Sequence, residues 1–114
     1  IFASVLADRK RKPLVLARKK GKLPPPVSTK SYSLEYGEAA IEIKSDSIQT
    51  YEDIVIVDDL IATGGTINAT IDIIQELGGN VIAVCCIMDL PFLSGSTTIR
   101  NRGIPVYAGV EYND

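Results

Sequence analysis

The chain has no histidine and no tryptophan among its 114 residues. The first absence removes Ser-His-Asp and Cys-His catalysis and every histidine-ligated metal site. Any acid or base must therefore be Asp, Glu, Lys, Tyr or a bound group. Only two cysteines occur, the neighbours Cys85 and Cys86 inside NVIAVCCIM. Adjacent strand residues face opposite sides, so the pair makes neither a disulfide framework nor a zinc site and reads as core thiols in a reducing compartment. Aromatic residues amount to 6%, too few for the stacking platforms of a nucleic-acid module. No stretch approaches the roughly 18 consecutive apolar residues of a transmembrane helix, and no secretory signal pattern is present. The expectation is a cytoplasmic protein that engages neither membrane nor nucleic acid.

What is present is an ordinary globular composition, 46% apolar and 23% charged with a net charge of −2, in a chain long enough for one domain with a real core. The charge is unevenly spread. Eight of the twelve Lys and Arg lie between Arg9 and Lys22, in DRKRK and ARKKGK, and the remainder of the chain is acidic. Such a segment beside paired acids points to an anionic ligand, with a metal ion between them as one option.

Periodicity orders the chain. Ile1, Phe2, Val5 and Leu6 recur at helical spacing, so IFASVLAD reads as the tail of a helix. Pro13 to Ala17 is a short apolar strand candidate, followed by a polar Gly- and Pro-rich loop from Arg18 to Ser31. Prolines 24 to 26 favour an extended, exposed path, and a loop of this length in a compact domain is more often functional than idle. SYSLEY and AAIEIKSD alternate around Gly37 as two strands of a hairpin. Ile54 to Val57 is a β-branched run expected to form a central parallel strand buried on both faces. From Thr66 the pattern is helical, with Ile67, Ile71, Ile74 and Leu77 on one face and Gly78-Gly79 at the C-terminus. Val81 to Met88 and, after a turn at Gly103, Ile104 to Val110 are further strands. The class expected is α/β: a mostly parallel twisted sheet flanked by helices, with an inserted hairpin, as a single domain over residues 1–114 in which 19–53 form a flexible loop and hairpin. The chain starts without methionine in what reads as mid-helix, so the domain is expected to be incomplete at its N-terminus.

The densest chemical signal is IVIVDDLIATGGT, residues 54 to 66. A buried strand ends in two carboxylates, Asp58 and Asp59, and a small-residue loop leads straight into a helix. The crevice beyond the carboxyl end of a parallel strand is where such sheets bind ligands. One reading is a two-aspartate metal site for phosphate chemistry. Another is a ribose-phosphate cradle, in which the backbone N–H groups of residues 62 to 66, with the Thr63 and Thr66 hydroxyls, meet a phosphate monoester at a helix N-terminus. The acids would accept hydrogen bonds from vicinal sugar hydroxyls. GxxxxGK[ST] and GxGxxG do not fit, since Thr66-Ile67 follows the glycines.

IVIVDDLIATGGT resembles the phosphoribosyl-pyrophosphate (PRPP) motif of the type I phosphoribosyltransferases. RKKGKLP at 18 to 24 and YSLEYGEAAIEIKSDSI at 32 to 48 resemble the corresponding segments of the adenine phosphoribosyltransferases, in the same order and at similar spacing. The resemblance implies transfer of 5-phosphoribose from PRPP to adenine, with Mg²⁺ carried by PRPP rather than ligated directly by protein. It assigns Asp58 and Asp59 to the ribose hydroxyls, and Ala62, Thr63, Gly64, Gly65 and Thr66 to the 5′-phosphate. Arg18, Lys19 and Lys22 go to pyrophosphate, Glu35 to proton transfer at the purine ring, and Tyr36 and Leu90 to positioning the base. Arg9 to Lys12 match nothing functional. The stretch from Lys19 to Ser33 would be a hood that closes over the substrates, and a homodimer is implied. The family's N-terminal third, with its first core strand, an arginine near pyrophosphate and the backbone groups that read adenine, is expected to be missing. A transferase for another base keeps the same cosubstrate. So does a regulator of this fold that senses PRPP without turnover, although no helix-turn-helix element accompanies it here.

Overall fold

The computed structural model describes residues 14–19, 21–34 and 37–113. The helix expected at IFASVLAD lies outside them, as do the basic residues Arg9 to Lys12, Glu35 and Tyr36. The described residues form two compact units. One is built from Val15–Ile54 and Gly65–Val81, the other from Val55–Gly64 and residues 82–113.

In the first unit, β2 (Val27–Leu34) and β3 (Gly37–Lys44) make the hairpin anticipated from the alternation around Gly37. They run antiparallel, with Lys30 opposite Ile41 and Tyr32 opposite Ala39. A short strand, β1 (Ala17–Lys19), pairs with the other edge of β3 and sets Arg18 opposite Glu42. The order β1-β3-β2 makes β3 central. Three consecutive residues, Ile41, Glu42 and Ile43, are all buried, where alternation alone would expose one of them; the Glu42 carboxylate lies against the turn of Lys22 and Leu23. Two expectations are corrected here. The strand placed at Pro13 to Ala17 begins only at Ala17, and Leu14 to Leu16 are exposed and outside any strand. Among the described residues the long loop contracts to residues 21–26, because both edges of β3 offer a ladder that its ends join. The three prolines are exposed, as anticipated.

Helix α1 (Gly65–Glu76) belongs to the same unit as the hairpin. Ile67, Ile71 and Ile74 are buried as the helical period requires; Ala69, Thr70 and Ile73 are buried too, and Leu77 is only half-buried. The helix is thus covered on more than one side, as its richness in isoleucine suggests. It ends in a Schellman turn, in which Gly78 N–H donates to Gln75 O and Gly79 N–H to Ile74 O.

The second sheet has the order β4-β5-β6, formed by β4 (Asp53–Ile61), β5 (Asn80–Asp89) and β6 (Val106–Glu111). β5 and β6 are parallel, with Val84 opposite Val106 and Cys86 opposite Ala108. A helical crossover joins each pair of successive strands, as parallel neighbours require. A 3₁₀ turn (Pro91–Leu93) and helix α2 (Gly95–Arg100) lie between β5 and β6. The expectation of a strand buried on both faces at Ile54 to Val57 is not met. Among the described residues β4 stands at the end of the strand order, and Val55 is 43% exposed. The strand also runs on through Asp58 and Asp59 to Ile61, with Asp59 exposed and Asp58 half-buried. Both cysteines are free thiols, Cys86 buried and Cys85 half-buried. Burial first, and then the charge of Asp89, pushes the Cys86 thiol above its ordinary range.

Candidate functional site

The acid pair sits near the end of β4. Asp58 is half-buried and Asp59 exposed, and the Asp59 N–H donates to Asp58 Oδ1 at 2.8 Å. Desolvation raises the Asp58 carboxyl above its ordinary value, the neighbouring charge of Asp59 adds to this, and the backbone hydrogen bond opposes it. Such a carboxylate gains from any hydroxyl or cation brought to it.

The loop after the acids is held by backbone contacts from the segment following β5. Leu90 N–H donates to Ile61 O at 2.9 Å, and Gly95 N–H to Ala62 O at 3.1 Å. The second contact is close: a Cβ on Gly95 would collide with Ala62 O and lie 2.7 Å from Gly64 N and 2.8 Å from Thr63 C. Gly64 itself takes φ +86, a left-handed turn that glycine adopts without Cβ strain. Thr63 stays exposed. On either side of this bracket, Asp89 and Ser96 are fully buried, and their side-chain oxygens have no hydrogen-bond partner among the described residues.

The other unit carries the cationic part. Arg18, Lys19, Lys22, Tyr32, Ile41 and Thr66 line a cavity of about 540 Å³, within the size range of small-molecule sites. Lys22 is placed by a buried acid: Glu42 Oε1 accepts the N–H groups of both Lys22 (2.9 Å) and Leu23 (2.8 Å). Among the described residues no carboxylate pairs with Arg18, Lys19 or Lys22. At the start of α1, the Thr66 hydroxyl donates to the Tyr32 hydroxyl at 2.9 Å, and the Tyr32 ring lies 3.1 Å from where a Cβ on Gly65 would be. Unpaired cations beside hydroxyls suit a polyanion.

Residues 1–100 match the family model described as "Phosphoribosyl transferase domain". The chain belongs to this family. It is 46% identical over 114 residues to the adenine phosphoribosyltransferase of Bordetella parapertussis, covering 100% of this chain and 60% of that protein. The crystal structure of the adenine phosphoribosyltransferase from Thermoanaerobacter pseudethanolicus superposes with a TM-score of 0.90 at 37% identity, over 97% of this chain and 63% of that one. The Trypanosoma brucei enzyme, solved in complex with AMP, pyrophosphate and ribose-5-phosphate, gives 0.85 at 28% identity, over 95% of this chain and 49% of that one. The chain therefore spans about 60% of the length of the curated relatives it matches. The expected α/β architecture is the one these structures share.

Within this phosphoribosyl transferase domain the anticipated residues fall into two groups, each inside one unit. Arg18, Lys19, Lys22 and Thr66 line the cavity in the first. Asp58, Asp59, Ala62, Thr63 and Gly64 belong to the second, with Leu90 bonded to the strand end. The Gly64–Gly65 peptide links the groups along the chain. Three residues that shape these groups escaped the sequence reading. Tyr32 lies in the segment that carries the family resemblance, but no role falls to it there. Glu42 occupied the polar position of an alternating strand. Gly95 sat among small residues of a turn, and the only available signal was the pair of small residues, Ser94 and Gly95, before a short helix.

Proposed function

We propose that this chain transfers 5-phosphoribose from PRPP to adenine, releasing AMP and pyrophosphate, in purine salvage. The observation that carries the reading is the cavity shared by Arg18, Lys19, Lys22 and Thr66. It joins the cations read as pyrophosphate ligands to the hydroxyl that opens the phosphate-binding helix. The names of the relatives support adenine as the acceptor.

In this reading the departing pyrophosphate is held by the three cations, with the Arg18 guanidinium offering bidentate contacts. The 5′-phosphate rests on the loop from Ala62 to Thr66, where unpaired N–H groups favour a dianion. Asp58 and Asp59 accept the ribose hydroxyls and stabilise the positive charge that grows at the anomeric centre. Glu35 moves the proton at the purine ring, with Tyr36 beside it, and Leu90 packs on the base. Residues 19–53 act as the loop and hairpin element of one catalytic domain. In this reading Mg²⁺ arrives with PRPP and is held chiefly through substrate phosphate oxygens, as that ion prefers. When bound, it neutralises pyrophosphate charge. The family resemblance also supports a cytoplasmic homodimer; among the described residues no helix is long and apolar enough to cross a membrane.

The test is turnover of PRPP with adenine, hypoxanthine, guanine and orotate in the presence of Mg²⁺, followed by pyrophosphate release. Adenine is expected to be the acceptor used. Preference for another base would reassign the substrate, and PRPP binding with no release from any base would leave a sensor.

A further inference from the structure

We infer that Tyr32 is a phosphate ligand of this domain, its phenol oriented by Thr66 so that its own proton is presented to a phosphoryl oxygen in the cationic cavity. The inference deepens the PRPP reading and rests on it for the identity of the anion. It stands on four observations within one unit.

The first is the direction of the hydrogen bond. Thr66 Oγ1 donates to the Tyr32 oxygen at 2.9 Å, so the phenolic proton is left over. No group among the described residues accepts it. A phenol that accepts from a hydroxyl is a better donor in turn, because bonds in a chain polarise one another. The second is position. Tyr32 lines the same cavity as Arg18, Lys19 and Lys22. Lys19, Ile41 and Lys30 form one cross-strand row; Tyr32, two residues beyond Lys30, is on the same face.

The third is the fit of the ring against the helix start. A Cβ on Gly65 would come within 3.1 Å of the Tyr32 ring, tighter than ordinary contact. Glycine at 65 therefore lets the aromatic ring reach the first turn of α1. The fourth is a separate tie on the same strand, Lys30 Nζ to Glu76 Oε1 at 3.1 Å, which holds β2 to the far end of α1 without touching the cavity.

The experiment titrates the full chain with inorganic pyrophosphate and with ribose 5-phosphate by calorimetry, for wild type, Tyr32→Phe, Thr66→Val, the double variant and Lys30→Met. Tyr32→Phe is expected to weaken at least one of the two anions about tenfold, the scale of a hydrogen bond to a charged group, while leaving adenine affinity unchanged. The double variant should lose less than the product of the single losses, because the two hydroxyls act as a chain. Lys30→Met, which cuts only the distant tie, should leave anion affinity within about twofold. Anion affinity unchanged in Tyr32→Phe, equal losses in Tyr32→Phe and Lys30→Met, or a wild type that binds neither anion would each overturn the inference. Turnover separates it from the parent reading. A wild type that binds pyrophosphate through Tyr32 but releases none from PRPP with any base sinks the transferase and spares the ligand.

Discussion

Gly95 donates its N–H to the carbonyl of Ala62 and leaves no room for a side chain beside it. The crowding atoms are backbone, Ala62 O and Gly64 N, so they cannot move aside as a flexible side chain would. The loop assigned to the 5′-phosphate thus has its shape set by Gly95, a residue that follows it in the sequence by more than a helix and a strand. Gly95→Ala is expected to displace residues 62–64 and to destabilise the chain by about 1–3 kcal/mol, the range for overpacking. Ribose 5-phosphate affinity should fall with it. Denaturant unfolding and calorimetry report the two effects, and a variant equal to wild type in both would mean that the loop is not held in this way.

Glu42 makes a comparable prediction for the cationic side. Its buried carboxylate accepts the N–H groups of Lys22 and Leu23 and so fixes the turn that carries Lys22. Glu42→Ala leaves two amides without that acceptor, a loss of about 1–3 kcal/mol. Pyrophosphate affinity should drop while adenine affinity holds. Glu42→Gln keeps one acceptor oxygen and is expected to retain most of both. If Glu42→Ala bound pyrophosphate as wild type does, the turn would not depend on this acid.

How far the sequence carries can be judged from particular residues. The helix after Thr66, the hairpin around Gly37 and the strands at Val81 and Ile104 follow from hydrophobic period and glycine punctuation, and the structure has them within a few residues. These signals are local, and local signals survive without knowledge of neighbours. Burial of Glu42 and exposure of Val55 were illegible for the opposite reason. Each depends on what covers a sheet face, as the Lys22–Leu23 turn covers Glu42, and that is a property of contacts distant in sequence. The acid pair and the ATGGT loop stand out in the sequence because they are contiguous, and their assignment to the sugar and its phosphate belongs to the proposed function. Gly95 and Tyr32 do not stand out, since each acts on that motif from another element.

Glu35 gives a prediction that separates chemistry from binding. If it moves the purine proton, Glu35→Gln keeps shape and hydrogen-bonding atoms but cannot exchange the proton. A general acid or base typically contributes a hundredfold or more. We expect kcat to fall by about that factor while PRPP affinity stays within about twofold. Steady-state kinetics with adenine, beside direct PRPP titration, distinguish the outcomes. An unchanged kcat would clear Glu35 of the role.

Asp58 ties the site to stability through its titration. Desolvation and the charge of Asp59 raise its carboxyl above the ordinary value of 3.8 in the folded chain. A raised acid favours folding through its proton. That contribution is complete below the unfolded value and is lost as pH rises through the folded one. At neutral pH the folded chain therefore carries an ionised, half-buried acid next to a second one. Asp58→Asn removes that charge and can still accept the Asp59 N–H. The variant should therefore melt higher than wild type near pH 7, with the gap shrinking toward about pH 3, where both side chains are neutral. The same substitution should weaken PRPP, because a neutral amide holds sugar hydroxyls less strongly and offers no charge to the reacting ribose. Melting curves across pH and PRPP titrations measure the two together. A gap in Tm that does not change with pH would show that the carboxyl of Asp58 is not destabilised by its surroundings. Unaltered PRPP affinity would detach the acid from the ribose.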